Sequence, residues 1–153
     1  MQGLYKTGEI EMTQFESNGF TRMTPYPSYR TDILPRFTVR GEVPAKDPVI
    51  LSNGNLVGSG TTKDGRHWAL YENPVPVPAY IVAFAAGDLG VIDDEYFTTR
   101  SGRKVHIPFY AEEKSMVESG RITIDAIKKS LRFDETDFDA EFDPEIDNFK
   151  ALA

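Results

Sequence analysis

The sequence has no cysteine and only two histidines, His67 and His106. Without cysteine there are no disulfides, no thiolate metal sites and no cysteine nucleophile, a composition that fits a reducing compartment. A zinc centre needs three or four converging His, Cys or carboxylate ligands. Two histidines 39 residues apart offer no such spacing, so this chain is expected to bind no metal. His67, beside Trp68 after a turn, reads as a strand residue with one satisfied nitrogen, and His106 as an exposed hairpin residue. The longest uninterrupted apolar run, Ala79 to Ala86, is eight residues, too short to span a membrane. No apolar stretch of signal-peptide type occurs in MQGLYKTGEIEMTQF, and a cytoplasmic location is the expectation. Phosphate-binding glycine loops and a G-x-S-x-G nucleophile elbow are also missing. A net charge of −7 argues against a nucleic-acid footprint.

What is present is one domain's length of chain, 153 residues with 40% hydrophobic and 27% charged, in the range of a folded protein. The acidity is local. FDETDFDAEFDPEIDNF, residues 133–149, holds eight carboxylates and no base, which leaves the rest of the chain near +1. That strip has no glycine and lacks the spacing of a calcium loop. Phe133, Phe138, Phe142, Ile146 and Phe149 are threaded through it. They read as apolar anchors under a solvated acidic face, or as a surface awaiting a basic or apolar partner.

Residues 1–97 have the pattern of strands and turns. Ile10, Met12, Gln14 and Glu16 share one face of a strand that passes from apolar to polar and ends at Asn18-Gly19. On residue type alone, Glu16 is a solvated strand carboxylate. Asn53-Gly54 and Asp64-Gly65 each signal a hairpin. Prolines 74, 76 and 78 lead into a buried strand over Tyr80–Ala86, and Phe97 to Tyr110 reads as another hairpin, turning at Ser101-Gly102-Arg103. Met116, Gly120, Ile124, Ile127 and Leu131 then step at helical spacing, predicting a helix from about Ser115 to Phe133. Gly120 inside it implies either close packing or a frayed start. The fold class is therefore mainly β with a minor α component, with a boundary near residues 97–98.

Several stretches together resemble the aminopeptidase N family of zinc metallopeptidases, in particular its bacterial branch. They are GLYKTGEIEMTQFESNGFTR, ILSNGNLVGSG, DGRHWALYENPVPVPAYIVAFAAGDLGVI, FTTRSGRKVHIPFY and the helix through AIKKSLRFDE, in the family's order along nearly the whole chain. The resemblance implies that residues 1–97 are the later part of the N-terminal β-sandwich or saddle domain. Residues 98–153 would be the start of a thermolysin-like catalytic domain: a hairpin, one helix and a terminal strand. The family's Gly-Ala-Met-Glu-Asn and H-E-x-x-H motifs, and its glutamate zinc ligand, do not occur here. Zinc is thus expected only in the full-length parent, which would remove N-terminal residues from peptides, and this chain alone is expected to be inactive.

By resemblance, Glu16 accepts hydrogen bonds from the substrate's free α-amine and Gln14 helps to line the first side-chain pocket. The implied partners are a peptide N-terminus and the remainder of the catalytic domain, with neither nucleic acid nor membrane. Arg22, Tyr26, Arg30, Asp32, Arg36 and Phe37 sit where the family pattern expects them, whereas Tyr29 and Thr31 replace an acidic residue and a proline. Pro144, with Asp147 and Lys150, interrupts an otherwise apolar terminal strand, which is therefore expected to pair poorly. The alternative is a stand-alone β-rich binding module derived from the same fold. A fragment would expose apolar faces on its strands and helix, and an evolved module would close them or make them polar.

Overall fold

The computed structural model describes residues 3–16, 20, 23 and 33–153. Arg22, Tyr26, Tyr29, Arg30, Thr31, Asp32 and the Asn18-Gly19 turn lie outside the described residues. The chain is mainly β with one α-helix among the described residues, and it divides into two compact units, residues 1–88 and 89–153. Ile92 and Phe97 are both buried in the core of the second unit.

The first unit holds β1 (Gly3–Thr7), β2 (Ile10–Gln14), β3 (Phe37–Val43), β4 (Val49–Ser52), β5 (Asn55–Thr61), β6 (His67–Asn73) and β7 (Phe84–Gly87). They form two antiparallel sheets, ordered β1-β2-β7-β4 and β3-β6-β5. Alternation along β6 buries Ala69, Tyr71 and Asn73, and Val43, Ile50 and Ala86 complete the core with Phe84 packed against it. The buried Tyr71 hydroxyl donates to the Ile50 carbonyl at 2.8 Å, and burial pushes the phenol's pKa up.

The Asp64-Gly65 hairpin forms as expected, joining β5 to β6 with Gly65 at φ 83°. Asn53-Gly54 does not close a hairpin: β4 pairs with β7 and β5 with β6, so this turn carries the chain from one sheet to the other. Gly54 is required there twice over, by its φ of 79° and because a Cβ would overlap the Glu72 carbonyl. The expected strand over Tyr80–Ala86 is shorter. Ala79–Ile81 form a 3-10 turn after Pro78, and β7 starts only at Phe84. The proline run supplies no ladder donors and fixes φ, so the chain reaches the sheet late.

The second unit contains β8 (Gly90–Ile92), β9 (Tyr96–Thr98), β10 (Lys104–His106), β11 (Phe109–Ala111), a 3-10 segment Lys114–Ser119, α1 (Gly120–Asp137) and β12 (Ala151–Leu152). The hairpin expected over residues 97–110 is confined to β9 and β10, and β11 pairs instead with β8 and β12. Pro108, which has no N–H to donate, separates β10 from β11. Val105, Ile107 and Ile124 are its most deeply buried side chains. The terminal segment pairs better than its composition predicts. Pro144 sits in a turn closed by Ile146 N–H to Asp143 O at 3.2 Å. Parallel pairing then starts with His106 N–H to Asp147 O at 2.9 Å and continues to Ala153 N–H and Tyr110 O at 3.0 Å. Half-burial beside this ladder lowers the Lys150 pKa to about 8.

The helix begins and ends later than predicted. Gly120, Ile124 and Leu131 are buried on its inner face and Glu135 extends that row, while Met116 is exposed. Met116 lies in the 3-10 segment, whose three-residue period puts it out of phase with the α-helical face. Gly120 meets the ring of Phe109 so closely that a Cβ would lie well inside van der Waals contact. Its φ of −61° is ordinary, so the constraint is steric. Gly120→Ala gains at most about 1 kcal/mol of helix propensity, against an overpacking cost of roughly 1–3 kcal/mol or more. The clash wins, and the second unit is expected to lose about 2 kcal/mol. Urea unfolding followed by ellipticity at 222 nm checks this, because the helix lies in that unit.

Candidate functional site

The candidate site is the C-terminal end of β2. In the β1–β2 hairpin Gln14 lies opposite Gly3. On its other side β2 pairs with β7 through Glu11↔Ala86 and Met12↔Ala85 only. The expected gradient along the face is present: Ile10 is buried, Met12 half-buried, and Gln14 and Glu16 exposed. Phe15 points the opposite way and is 6% exposed, edge-on to Phe20 at 5.1 Å, which in turn meets Phe37 at 5.8 Å. This aromatic row anchors the strand end and leaves the two polar side chains in solvent. β2 ends at Gln14, and Glu16 sits in the turn that follows. The Glu16 backbone N–H donates to Gln14 Oε1 at 3.1 Å, so the two residues named from sequence form one local unit. An exposed carboxylate beside a fixed amide is suited to receive a cation with hydrogen-bond donors, such as an ammonium.

Residue typing missed the groups that hold this strand end. Thr13 Oγ1 accepts from Phe84 N–H at 2.9 Å and lies 3.4 Å from the Phe84 carbonyl, to which it donates. Asn53, read as a turn residue, accepts from Ala83 N–H at 2.5 Å through Oδ1, and Ser52 donates to the Ala83 carbonyl at 2.7 Å.

Neither histidine belongs to the site. His67 Nε2 lies 2.7 Å from the Asp47 carbonyl, so one nitrogen is satisfied as expected. His106 is partnered rather than simply exposed, with Nε2 at 2.9 Å from the Asp93 carbonyl and 3.2 Å from its carboxylate, and its ring stacked on Tyr96. Among the described residues no three His, Asp or Glu side chains are grouped to hold a metal ion. No helix among the described residues is long and apolar enough to cross a membrane.

No protein-family model matches the chain. It is 39% identical over 153 residues, its full length, to aminopeptidase N of Caulobacter vibrioides. It is also 37% identical over 147 residues, 95% of the chain, to aminopeptidase N of Haemophilus influenzae. The chain is similar to one segment of aminopeptidase N. It spans 17% of the length of each of these relatives. In solved structures, 99% of the segment superposes on 17% of Legionella pneumophila aminopeptidase A in complex with aspartic acid, with TM-score 0.91 and 28% identity. The fold also matches an M1 zinc metallopeptidase from Deinococcus radiodurans, with TM-score 0.76, 19% identity, and 99% and 33% of the two chains covered.

Proposed function

We propose that this chain is part of a cytoplasmic, zinc-dependent aminopeptidase that removes N-terminal residues from peptides, and that Glu16 and Gln14 contribute to the pocket for the substrate's α-amine. The observation that carries the reading is identity of 37–39% to aminopeptidase N, sustained across 95–100% of the chain. On this reading residues 1–97 contribute to the β domain and residues 98–153 open the catalytic domain. Zinc and the general base are supplied by the rest of the enzyme. A carboxylate that receives an ammonium in a closed pocket makes a charge-assisted hydrogen bond. An internal peptide bond offers no ammonium, so the same carboxylate would select chain ends. The aspartic acid bound by the Legionella relative carries such an α-ammonium, in keeping with this chemistry.

The outer side of α1 also supports incorporation into a larger enzyme rather than a stand-alone module. Ile122 is 76% exposed, and the edge-to-face pair Phe133 and Phe138 is 52% and 68% exposed. Apolar side chains this open fit a surface that other parts of an enzyme cover.

The test is hydrolysis of an aminoacyl anilide by the full-length protein that contains this segment. Turnover should be abolished by a chelator, restored by zinc, and absent when the substrate amine is acetylated. The 153-residue chain alone should give background only. No turnover by the zinc-loaded full-length protein overturns the enzymatic reading, and zinc-dependent turnover by the isolated chain overturns the division of labour.

A further inference from the structure

We infer that Thr13 is a positioning residue for the amine pocket, holding Gln14 and Glu16 in place through its clasp on the backbone of Phe84. The inference rests on the role proposed above for Glu16 and Gln14. On the β4 side of β7 the backbone pairing reaches Ser52↔Phe84, but on the β2 side it stops one residue short, at Met12↔Ala85. At the missing rung the Thr13 hydroxyl takes the place of the strand backbone, accepting from Phe84 N–H at 2.9 Å and facing its carbonyl at 3.4 Å. It is the last cross-strand tie from β2 to β7 before the two polar residues.

The group it grips is itself immobilised. The Phe84 ring packs against the core of Val43, Ile50, Ala69, Tyr71 and Ala86, and lies so close to Gly41 that a Cβ there would overlap it. Its neighbour Ala83 is held from β4 by Ser52 and Asn53. Position thus passes from the packed ring to the Phe84 backbone, to Thr13, and along the chain to Gln14, whose Oε1 accepts the Glu16 N–H. Small displacements of a group that orients substrate carry large kinetic costs, and a net hydrogen bond here is worth a several-fold change in binding.

In the full-length enzyme, Thr13→Val removes the hydroxyl at nearly constant shape. KM for a free-amine anilide should rise about tenfold with kcat within about twofold, as expected for loss of one positioning hydrogen bond. Thr13→Ser keeps the hydroxyl and should restore KM to within about twofold of the parent. Ser52→Ala removes only one of the two ties on Ala83, leaving the Asn53 tie and the packed Phe84 ring to hold the segment, and should lower Tm while leaving KM within about twofold of the parent. In a Glu16→Gln background, Thr13→Val should raise KM by clearly less than tenfold, because it acts partly through Glu16.

An unchanged KM for Thr13→Val overturns the inference. So does a Thr13→Ser enzyme as impaired as Thr13→Val, or an equal rise in KM for Ser52→Ala, which marks the clasp as a stability element only. Should Thr13→Val not fold, a tenfold higher KM for Thr13→Ser alone is decisive against it. Glu16→Gln, run in parallel, separates the two claims. If it leaves kcat/KM unchanged, the amine-anchor reading fails. If it is impaired while Thr13→Val is normal, only the role of Thr13 fails.

Discussion

Glu16→Gln in the full-length enzyme is expected to lower kcat/KM for free-amine substrates by about 100-fold, equivalent to roughly 2.7 kcal/mol. The substitution keeps the side chain's length and one acceptor oxygen but removes the charge proposed to face the substrate ammonium. Charge-assisted hydrogen bonds are about twice as strong as neutral ones, and a closed pocket weakens the competition from water. The loss should fall mainly on KM, because the proposed contact to the amine is made in the ground state and the transition state alike. Glu16 is exposed at the end of β2 and Phe15, not Glu16, anchors the strand there, so Tm should move little. Steady-state kinetics on an aminoacyl anilide, with a melting curve for the same preparation, decide the matter. Unchanged kcat/KM removes Glu16 from the pocket. A fall in kcat/KM matched by a collapse in Tm reassigns it to structure.

The polar end of the β2 face was legible from alternation, because a period of two assigns Ile10, Met12, Gln14 and Glu16 to one side whatever their function. Their role was not. Alternation gives Glu16 water for a partner, and only the resemblance of the TQFE stretch to a known family offered it an ammonium. Thr13 was invisible for another reason. Its hydroxyl bonds to a backbone 71 residues away, and no local pattern encodes that. Asn53-Gly54 shows the limit of turn chemistry. A positive φ at Gly54 calls for glycine, but it does not say whether the next strand returns to the same sheet or joins another. The helix was the most legible element, since Gly120, Ile124 and Leu131 recur at its period. Glu135 stands on that same inner face and was hidden only by its setting in an acidic strip.

Glu135→Leu is therefore expected to cost the second unit about 3 kcal/mol, although it replaces a carboxylate by an apolar residue at a buried helical position. Glu135 is 3% exposed. Its Oε1 accepts the Arg100 backbone N–H at 2.8 Å, and its Oε2 pairs with the Arg132 guanidinium. Arg132 in turn donates to the Thr98 carbonyl at 2.8 Å and lies over the Phe97 ring at 4.7 Å. One carboxylate thus ties the β9–β10 turn to the last turns of α1. Leucine would fill much of the volume and gain apolar burial, which by itself favours the substitution. It would also leave the partly buried Arg100 N–H without its acceptor and Arg132 without its counter-charge. The penalty for stranding such groups exceeds the gain, because the partners stay behind. Arg132 is half exposed and recovers part of its hydration, which keeps the loss near the lower end of the range for buried pairs. Glu135→Gln separates the two contributions: it retains an acceptor for Arg100 and loses only the charge, for an expected cost of about 1 kcal/mol. Urea unfolding read at 222 nm follows the helix-bearing unit, and fluorescence of Trp68, the only tryptophan, follows the other. The first midpoint should fall in the order parent, Gln, Leu, while the Trp68 transition stays in place. Equal midpoints for Leu and the parent would mean that the turn keeps its position without the carboxylate.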